Sequence, residues 1–208
     1  MHVAIDVFER VVCTTGGAHT AALAARVVSP SGSLHLVDEH RLDPLLAELE
    51  RHEATLAVVK APRQGRAAGI TLGSLPTHLL HEAACGVLVA RTPHDLAAWP
   101  RTIVVGVDGS AAAAAAFGAA SALAERHGAN LRPVVATREP LVDLDAARSL
   151  APGLEERDER VLHVLHVLSE EADLLVVGSR GLRGLRALGS VSERIAHEAV
   201  SPVLVVRA

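Results

Sequence analysis

The sequence predicts an α/β protein made of two open, mainly parallel βαβ sheets, each a shortened version of one unit. Three observations carry that expectation. Short uninterrupted apolar runs such as Leu174–Val177 and Val203–Val206 suit strands buried on both faces of a parallel sheet. Helix-spaced segments alternate with these runs, which is the pattern of βαβ units. Finally, three landmarks recur in the same order along the 208 residues.

The first landmark is an apolar strand running into small residues: FERVVCTTGG (Phe8–Gly17) and RTIVVGVDGS (Arg101–Ser110). The second pairs SGSLHLV (Ser31–Val37) with GANLRPVV (Gly128–Val135). The third pairs ATLAVVKAPRQGRAAGITLGSLPTHLLHEAACGVLVAR (Ala54–Arg91) with ADLLVVGSRGLRGLRALGSVSERIAHEAVSPVLVVR (Ala172–Arg207). Gly73-Ser74 matches Gly189-Ser190, whereas the opening strands are closer together than that offset. The first copy is therefore compressed, chiefly in its first helix.

Between landmarks the apolar spacing turns helical. Ala111–His127 reads as a helix with Ser110 as its N-cap and Gly128 as its stop. Leu154–Glu170 reads as a second helix, with Val161, Val164, Leu165 and Leu168 on a core-facing stripe. Its counterpart in the first copy is Arg41–His52. The run Thr137–Gly153 holds Pro140, Pro152 and Gly153, and is expected to be too brief for a further helix and strand. RTPHDLAAWPR (Arg91–Arg101), with two prolines, is the junction. The expected division is residues 1–94, a linker at 95–100, and 101–208. Trp99 in the junction reads as a packing anchor.

Composition removes several function classes. Half the residues are hydrophobic and 21% are charged, so the chain can build a core. A net charge of −4 argues against a protein that coats nucleic acid. Phe8, Trp99 and Phe117 are the only aromatics, too few for a base-stacking platform. Cys13 and Cys85 are the only cysteines and read as small buried hydrophobes. Asp6, Glu9 and Arg10 interrupt what a secretory leader would need as an apolar core. The weakly polar run Ala111–Ala124 is shorter than the ~18–20 residues that span a bilayer. A soluble, cytoplasmic protein with no membrane partner is expected.

The chemistry concentrates in the second copy. Glycines at 178, 181, 184 and 189 let backbone amides turn towards an anion, and the helix that follows adds its positive end. Arg180, Arg183 and Arg186 in the same loop are either phosphate partners or a solvated face. In an open parallel sheet, ligands sit beyond the carboxyl ends of strands where strand order reverses. If the first strand and Leu174–Val177 are neighbours there, Asp108 and Gly178 face one crevice. Asp108 could then bind a ribose hydroxyl or orient a metal-bound phosphate. Alternatively, Asp108-Gly109 is a tight turn and Ser190 a helix cap.

Other chemistries fit less well. No G-x4-G-K-[S/T] motif exists, and the only lysine, Lys60, lies in the first copy. Neither Gly-Ser pair completes G-x-S-x-G. Glu159, His163, His166 and Glu170 align along one helix face, but the opposite face is apolar, so they read as the solvated side; His78 and His81 read likewise. No metal site is expected.

The VDGS turn with its alanine helix, and the ending VVGSRG…LGSVSERIAHEA…PVLVVR, resemble the universal stress protein family in tandem form. The resemblance covers Arg101–Arg207 and, in degenerate form, Ala54–Arg91. It implies a parallel α/β fold and, for a subset of the family, ATP binding through an aspartate after the first strand and G-x2-G-x9-G-[S/T]. The matching positions are Asp108, Gly178, Gly181, Gly189 and Ser190; Arg180 and Val135 join them as candidate contacts. Seven residues, not nine, separate Gly181 from Gly189. The first copy keeps the nine-residue gap but has Lys60 and Arg63 for the leading glycines and Thr15 for the aspartate.

The resemblance further implies that the final strands, Val87–Ala90 and Val203–Val206, pair within the chain as an intramolecular pseudo-dimer, or in a homodimer. The expected function is a stress-response regulator, not an enzyme, binding ATP (with Mg) or another adenine nucleotide in its second copy. The alternatives are a nucleotide-free interaction module with an unknown protein partner, and a slow ATPase.

Overall fold

The computed structural model describes residues 7–61, 75–179 and 191–208. In the first copy, β1 (Arg10–Thr14), α1 (Ala18–Val27), β2 (Ser33–Val37), α2 (Leu42–Arg51), β3 (Leu56–Lys60), α3 (Leu75–Glu82) and β4 (Gly86–Ala90) follow one another. The second copy runs β5 (Thr102–Gly106), α4 (Ala111–His127), β6 (Asn130–Ala136), α5 (Leu144–Leu150), β7 (Glu155–Arg157), α6 (Val161–Glu171), β8 (Leu174–Ser179), α7 (Val191–Glu198) and β9 (Val203–Arg207).

The two βαβ sheets join edge to edge through their final strands, as the resemblance implies, and form one sheet. Nine strands lie in the order β2-β1-β3-β4-β9-β8-β5-β6-β7. All neighbours are parallel except β4 and β9, which meet antiparallel with Val87 opposite Val205, Leu88 opposite Leu204 and Val89 opposite Val203. Antiparallel pairing is what two similar edges related by a two-fold rotation produce. It also removes the two most apolar edges from solvent.

Strand alternation supplies a core to each face. Val11, Cys13, Leu56, Val58, Ile103, Val105, Leu174 and Val176 pack on one side with α1 and α4. Val12, Ala57, Val59, Val104, Leu175 and Val177 pack on the other with residues of α2, α3, α6 and α7. Both cysteines are buried, and burial pushes their thiols up to about 12 for Cys13 and about 11 for Cys85.

Local signals placed α4 well. Ser110 Oγ accepts from the Ala113 amide at 3.1 Å, and Gly128 ends the helix in the left-handed region at φ 63°. The first copy is shorter in α1, which has 10 residues against 17 in α4. The expectation that its first helix carries most of the compression is nevertheless corrected: the larger shortening lies between β2 and α2, where the second copy inserts α5 and β7.

Two expectations are corrected. Thr137–Gly153 does hold a helix, α5, and a strand, β7, follows at once. Asp143 makes this economical by capping α5, its Oδ1 accepting from the Ala146 amide at 3.0 Å. Consequently the helix expected from Leu154 starts only at Val161, and Glu159 precedes it. Glu155 and Glu156 lie instead in β7, where Arg132 and Arg148 hold them as ion pairs at the sheet edge. In the first copy β2 leads straight to α2, with no helix or strand in the place of α5 and β7.

Arg91–Arg101 contains neither helix nor strand. Trp99, 1% exposed, anchors it: the ring sits in the core and Nε1 donates to the Asp173 carbonyl at 2.7 Å. Arg26 donates to the carbonyls of Leu96, Ala97 and Trp99 from α1.

Candidate functional site

Strand order reverses at β5: β6 and β7 lie on one side of it and β8 and β9 on the other. A crevice opens beyond the carboxyl ends of β5 and β8, where a parallel sheet offers its loops. It forms a cavity of about 460 Å³. Asp108 and Gly178 both line it, with Ser110, Ser179 and Ser192.

Asp108 follows β5 by two residues and is held from both sides. Its Oδ1 accepts from the Ser110 amide at 3.0 Å, and its carbonyl accepts from the Asp143 amide at 3.0 Å. Gly109 has φ 82°, and a side chain there would begin 2.5 Å from the Asp143 carbonyl oxygen. The tight turn and the cavity wall are thus the same piece of chain.

Gly178 is required for a different reason. A Cβ on it would lie 2.3 Å from the Ala112 carbonyl oxygen, inside the first turn of α4. Only glycine lets β8 and the start of α4 approach this closely. The sequence pattern marked Gly178 as a loop residue; it lies within β8, close against the helix N-terminus.

The segment Glu139–Val142 forms a further wall. Glu139 Oε1 accepts from the Val161 amide at 3.1 Å, tying this strap to α6. Leu141 is 72% exposed at the same segment. Val134, Ala136, Val161, Val164 and Leu165 make the apolar part of the lining.

Val135 is buried but does not line the cavity; its neighbours Val134 and Ala136 do, because alternate strand residues point to opposite faces. Arg180, Gly181, Gly189 and Ser190 lie outside the described residues, as do Arg63, Arg183, Gly184 and Arg186.

The first copy is built differently at the matching place. Lys60 pairs with Ala90 as Gly178 pairs with Val206, so lysine stands where the second copy has glycine. Its side chain runs beside Gly16 and Gly17, with Nζ 3.7 Å from where a Gly17 side chain would begin. Thr15, in the place of Asp108, donates from Oγ1 to Asp38 at 2.7 Å.

Two lining residues come from the first copy: Leu80 and His81 of α3. His81 Nε2 lies 3.1 Å from Glu193 Oε1 of α7, and both side chains are largely enclosed, at 12% and 6% exposure. Sequence reasoning missed this pair. The expectation that His81 lies on a solvated face is thereby corrected, because no local pattern reports a partner 112 positions away.

Among the described residues, no three His, Cys, Asp or Glu side chains converge as a metal site. His163 pairs with Glu159 at 2.9 Å on the surface. No helix among the described residues is long and apolar enough to cross a membrane.

A mainly parallel α/β sheet with an open crevice at its switch point defines the class of protein. The chain is similar to members of the universal stress protein family. The Universal stress protein family model matches residues 154–207. Universal stress protein Rv2623 of Mycobacterium tuberculosis is 33% identical over 193 residues, covering 79% of this chain. The chain spans 65% of that relative's length. In structure, a universal stress protein from Archaeoglobus fulgidus superposes with a TM-score of 0.72 at 14% identity, covering 96% of each chain. A protein described as a putative universal stress protein from Pseudomonas aeruginosa gives a TM-score of 0.67 at 20% identity, covering 95% of this chain and 81% of its own. At these identities the two structures establish the fold.

Proposed function

We propose that the second copy binds ATP or another adenine nucleotide in the cavity beside Asp108, and that the chain acts as a nucleotide-responsive regulator rather than by turnover. The observation that carries this reading is that Asp108 and Gly178, the two described positions of the family's ATP motif, line one cavity of about 460 Å³ at the switch point of the sheet. That volume suits a small organic ligand. The apolar lining from β6 and α6 suits a purine face, and Asp108 offers acceptors for ribose hydroxyls. The segment that joins Ser179 to Val191 carries Arg180, Arg183 and Arg186 in sequence, a supply of positive charge for phosphates.

Magnesium fits this donor set in one way. It commonly takes one or two protein carboxylates and completes its shell with phosphate oxygens and water. Asp108 would be the protein's contribution, and the metal would supply charge neutralisation to the bound phosphates. Regulation in preference to hydrolysis follows from the sequence, which has no phosphate-loop lysine; Lys60 belongs to the other copy.

The test is calorimetry of the full chain with ATP and with AMP, alongside chromatography of any small molecule released on denaturation. Asp108→Ala is expected to weaken adenylate binding about tenfold, the cost of one lost charged hydrogen bond. A wild-type chain that releases nothing and gives no heat with either adenylate overturns the reading. Sustained phosphate release from ATP, abolished by Asp108→Ala, would replace regulation with slow hydrolysis.

A further inference from the structure

The cavity of the second copy is finished by the first. Leu80 and His81 of α3 reach it across the β4–β9 seam. The offset relating Gly73-Ser74 to Gly189-Ser190 also relates Thr77 to Glu193 and His81 to His197. Two contacts therefore cross the seam at matching places. Thr77 Oγ1 lies 3.0 Å from His197 Nε2, and His81 Nε2 lies 3.1 Å from Glu193 Oε1. They are alike in geometry and unlike in chemistry. Of these four residues, only His81 and Glu193 line the cavity.

We propose that His81 is a positioning residue of the second copy's ligand site: it holds the Glu193 carboxylate at the cavity wall and thereby couples ligand binding to the docking of the first copy. This inference rests on the adenylate reading given above.

The chemistry is direct. A carboxylate only accepts, so the hydrogen of this contact is carried by His81 Nε2. With Glu193 only 6% exposed, the imidazole donor offsets part of the cost of enclosing its charge. The second ring nitrogen, Nδ1, is buried without a hydrogen-bond partner among the described residues. The ring is therefore fixed by one bond and by packing. Removing it takes this donor from a carboxylate that faces a cavity with Asp108 and Glu139 on its other walls. An anionic ligand would then meet a wall whose carboxylate has lost this N–H donor and is less rigidly held. The first copy, which carries lysine where the second has glycine, contributes to the second copy's site through this contact.

Calorimetry with ATP, on full-length variants checked for melting temperature, tests the proposal. His81→Ala is expected to weaken ATP at least about fivefold, the lower end of ordinary coupling between sites. His81→Gln, which keeps a donor, should restore most of that loss. So should Glu193→Gln placed in the His81→Ala background, which removes the exposed charge. Thr77→Val breaks the matching contact away from the cavity, and should lower the melting temperature without moving ATP affinity. Hydrogen exchange adds a second readout: ATP should slow exchange in α3 of the wild type, and no longer do so in His81→Ala. Unchanged ATP affinity in His81→Ala, in a wild type that binds, overturns this inference and leaves the adenylate site standing. Equal losses in His81→Ala and Thr77→Val also overturn it, because the effect would then be the seam's stability alone. A wild type that binds neither ATP nor AMP overturns both readings.

Discussion

Leu88 and Leu204 face each other at the centre of the β4–β9 pair, each the counterpart of the other in the repeat. A local two-fold axis therefore passes between them, and contacts on either side come in matched sets. Arg91, just beyond β4, donates to the carbonyls of Ala196 and His197 in the last turn of α7, at 2.6 and 3.1 Å. Its counterpart Arg207, at the end of β9, donates to the Leu80 carbonyl in the last turn of α3 at 2.7 Å. Each copy supplies the cation that completes the other's helix, where the negative end of a helix favours positive charge.

Arg91→Ala is accordingly expected to destabilise the chain by about 2 kcal/mol, because it strands helix-end carbonyls at a buried seam. Burial already lowers the Arg91 guanidinium to about 10, which marks how little water reaches it. Arg91→Lys should recover only part of the loss, since one ammonium cannot reproduce the fork that spans several carbonyls. Urea unfolding of the three proteins checks this; identical midpoints would remove the seam arginine from the account.

Two glycines should respond in opposite directions to alanine. At Gly178 the new methyl meets the Ala112 backbone, so stability should fall by about 1–3 kcal/mol and adenylate binding with it. At Gly118, exposed within α4 and with nothing within 4 Å of a Cβ, alanine should add about 0.5–1 kcal/mol. Thermal melts distinguish these outcomes, and a stabilised Gly178→Ala would contradict the close approach described here.

Acid should weaken the fold in two stages. Burial pushes the His127 and His197 imidazoliums below their ordinary 6.5. Above that pH both states are neutral and these groups cost nothing. As pH falls below 6.5 the unfolded chain takes up protons that the folded chain refuses, so stability declines towards the folded values. A second loss follows below about 4.5, where Glu155, lowered chiefly by its hydrogen bond with Arg132, becomes protonated first in the unfolded chain. Melting temperatures from pH 7.5 to 4 should fall accordingly, and His197→Gln should flatten the first stage. A melting temperature constant down to pH 5 would contradict it.

The single tryptophan gives a direct probe of the junction. Trp99 is enclosed and bonded to Asp173, so its fluorescence should shift to the red in one step with global unfolding. Trp99→Ala should cost about 3–5 kcal/mol, the range for emptying a large aromatic site. A fluorescence transition that precedes loss of helix content would mean the junction frees itself first.

What was legible in the sequence was whatever one stretch of chain decides by itself. Ser110 and Gly128 fixed the ends of α4 because capping depends on a few adjacent residues, and β8 and β9 were visible as runs apolar on both faces. Asp143 is a legible cap for α5, but a helix of only seven residues between Pro140 and Pro152 carries too little periodicity to stand out from a loop. Glu193 could not be read. Its enclosure depends on α3, and periodicity within VSERIAHE contains no record of that neighbour.

The sequence by itself determined the repeat, the alternation of strand and helix, and the asymmetry between Gly178 and Lys60, since these are properties of composition and period. Only the tertiary structure decided the antiparallel register that sets Leu88 opposite Leu204 in the joined sheet, that Glu139–Val142 walls the cavity, and that His81 reaches Glu193. Those contacts join residues far apart along the chain. Their energies come from burial and hydrogen bonding that exist only once both copies are folded against each other.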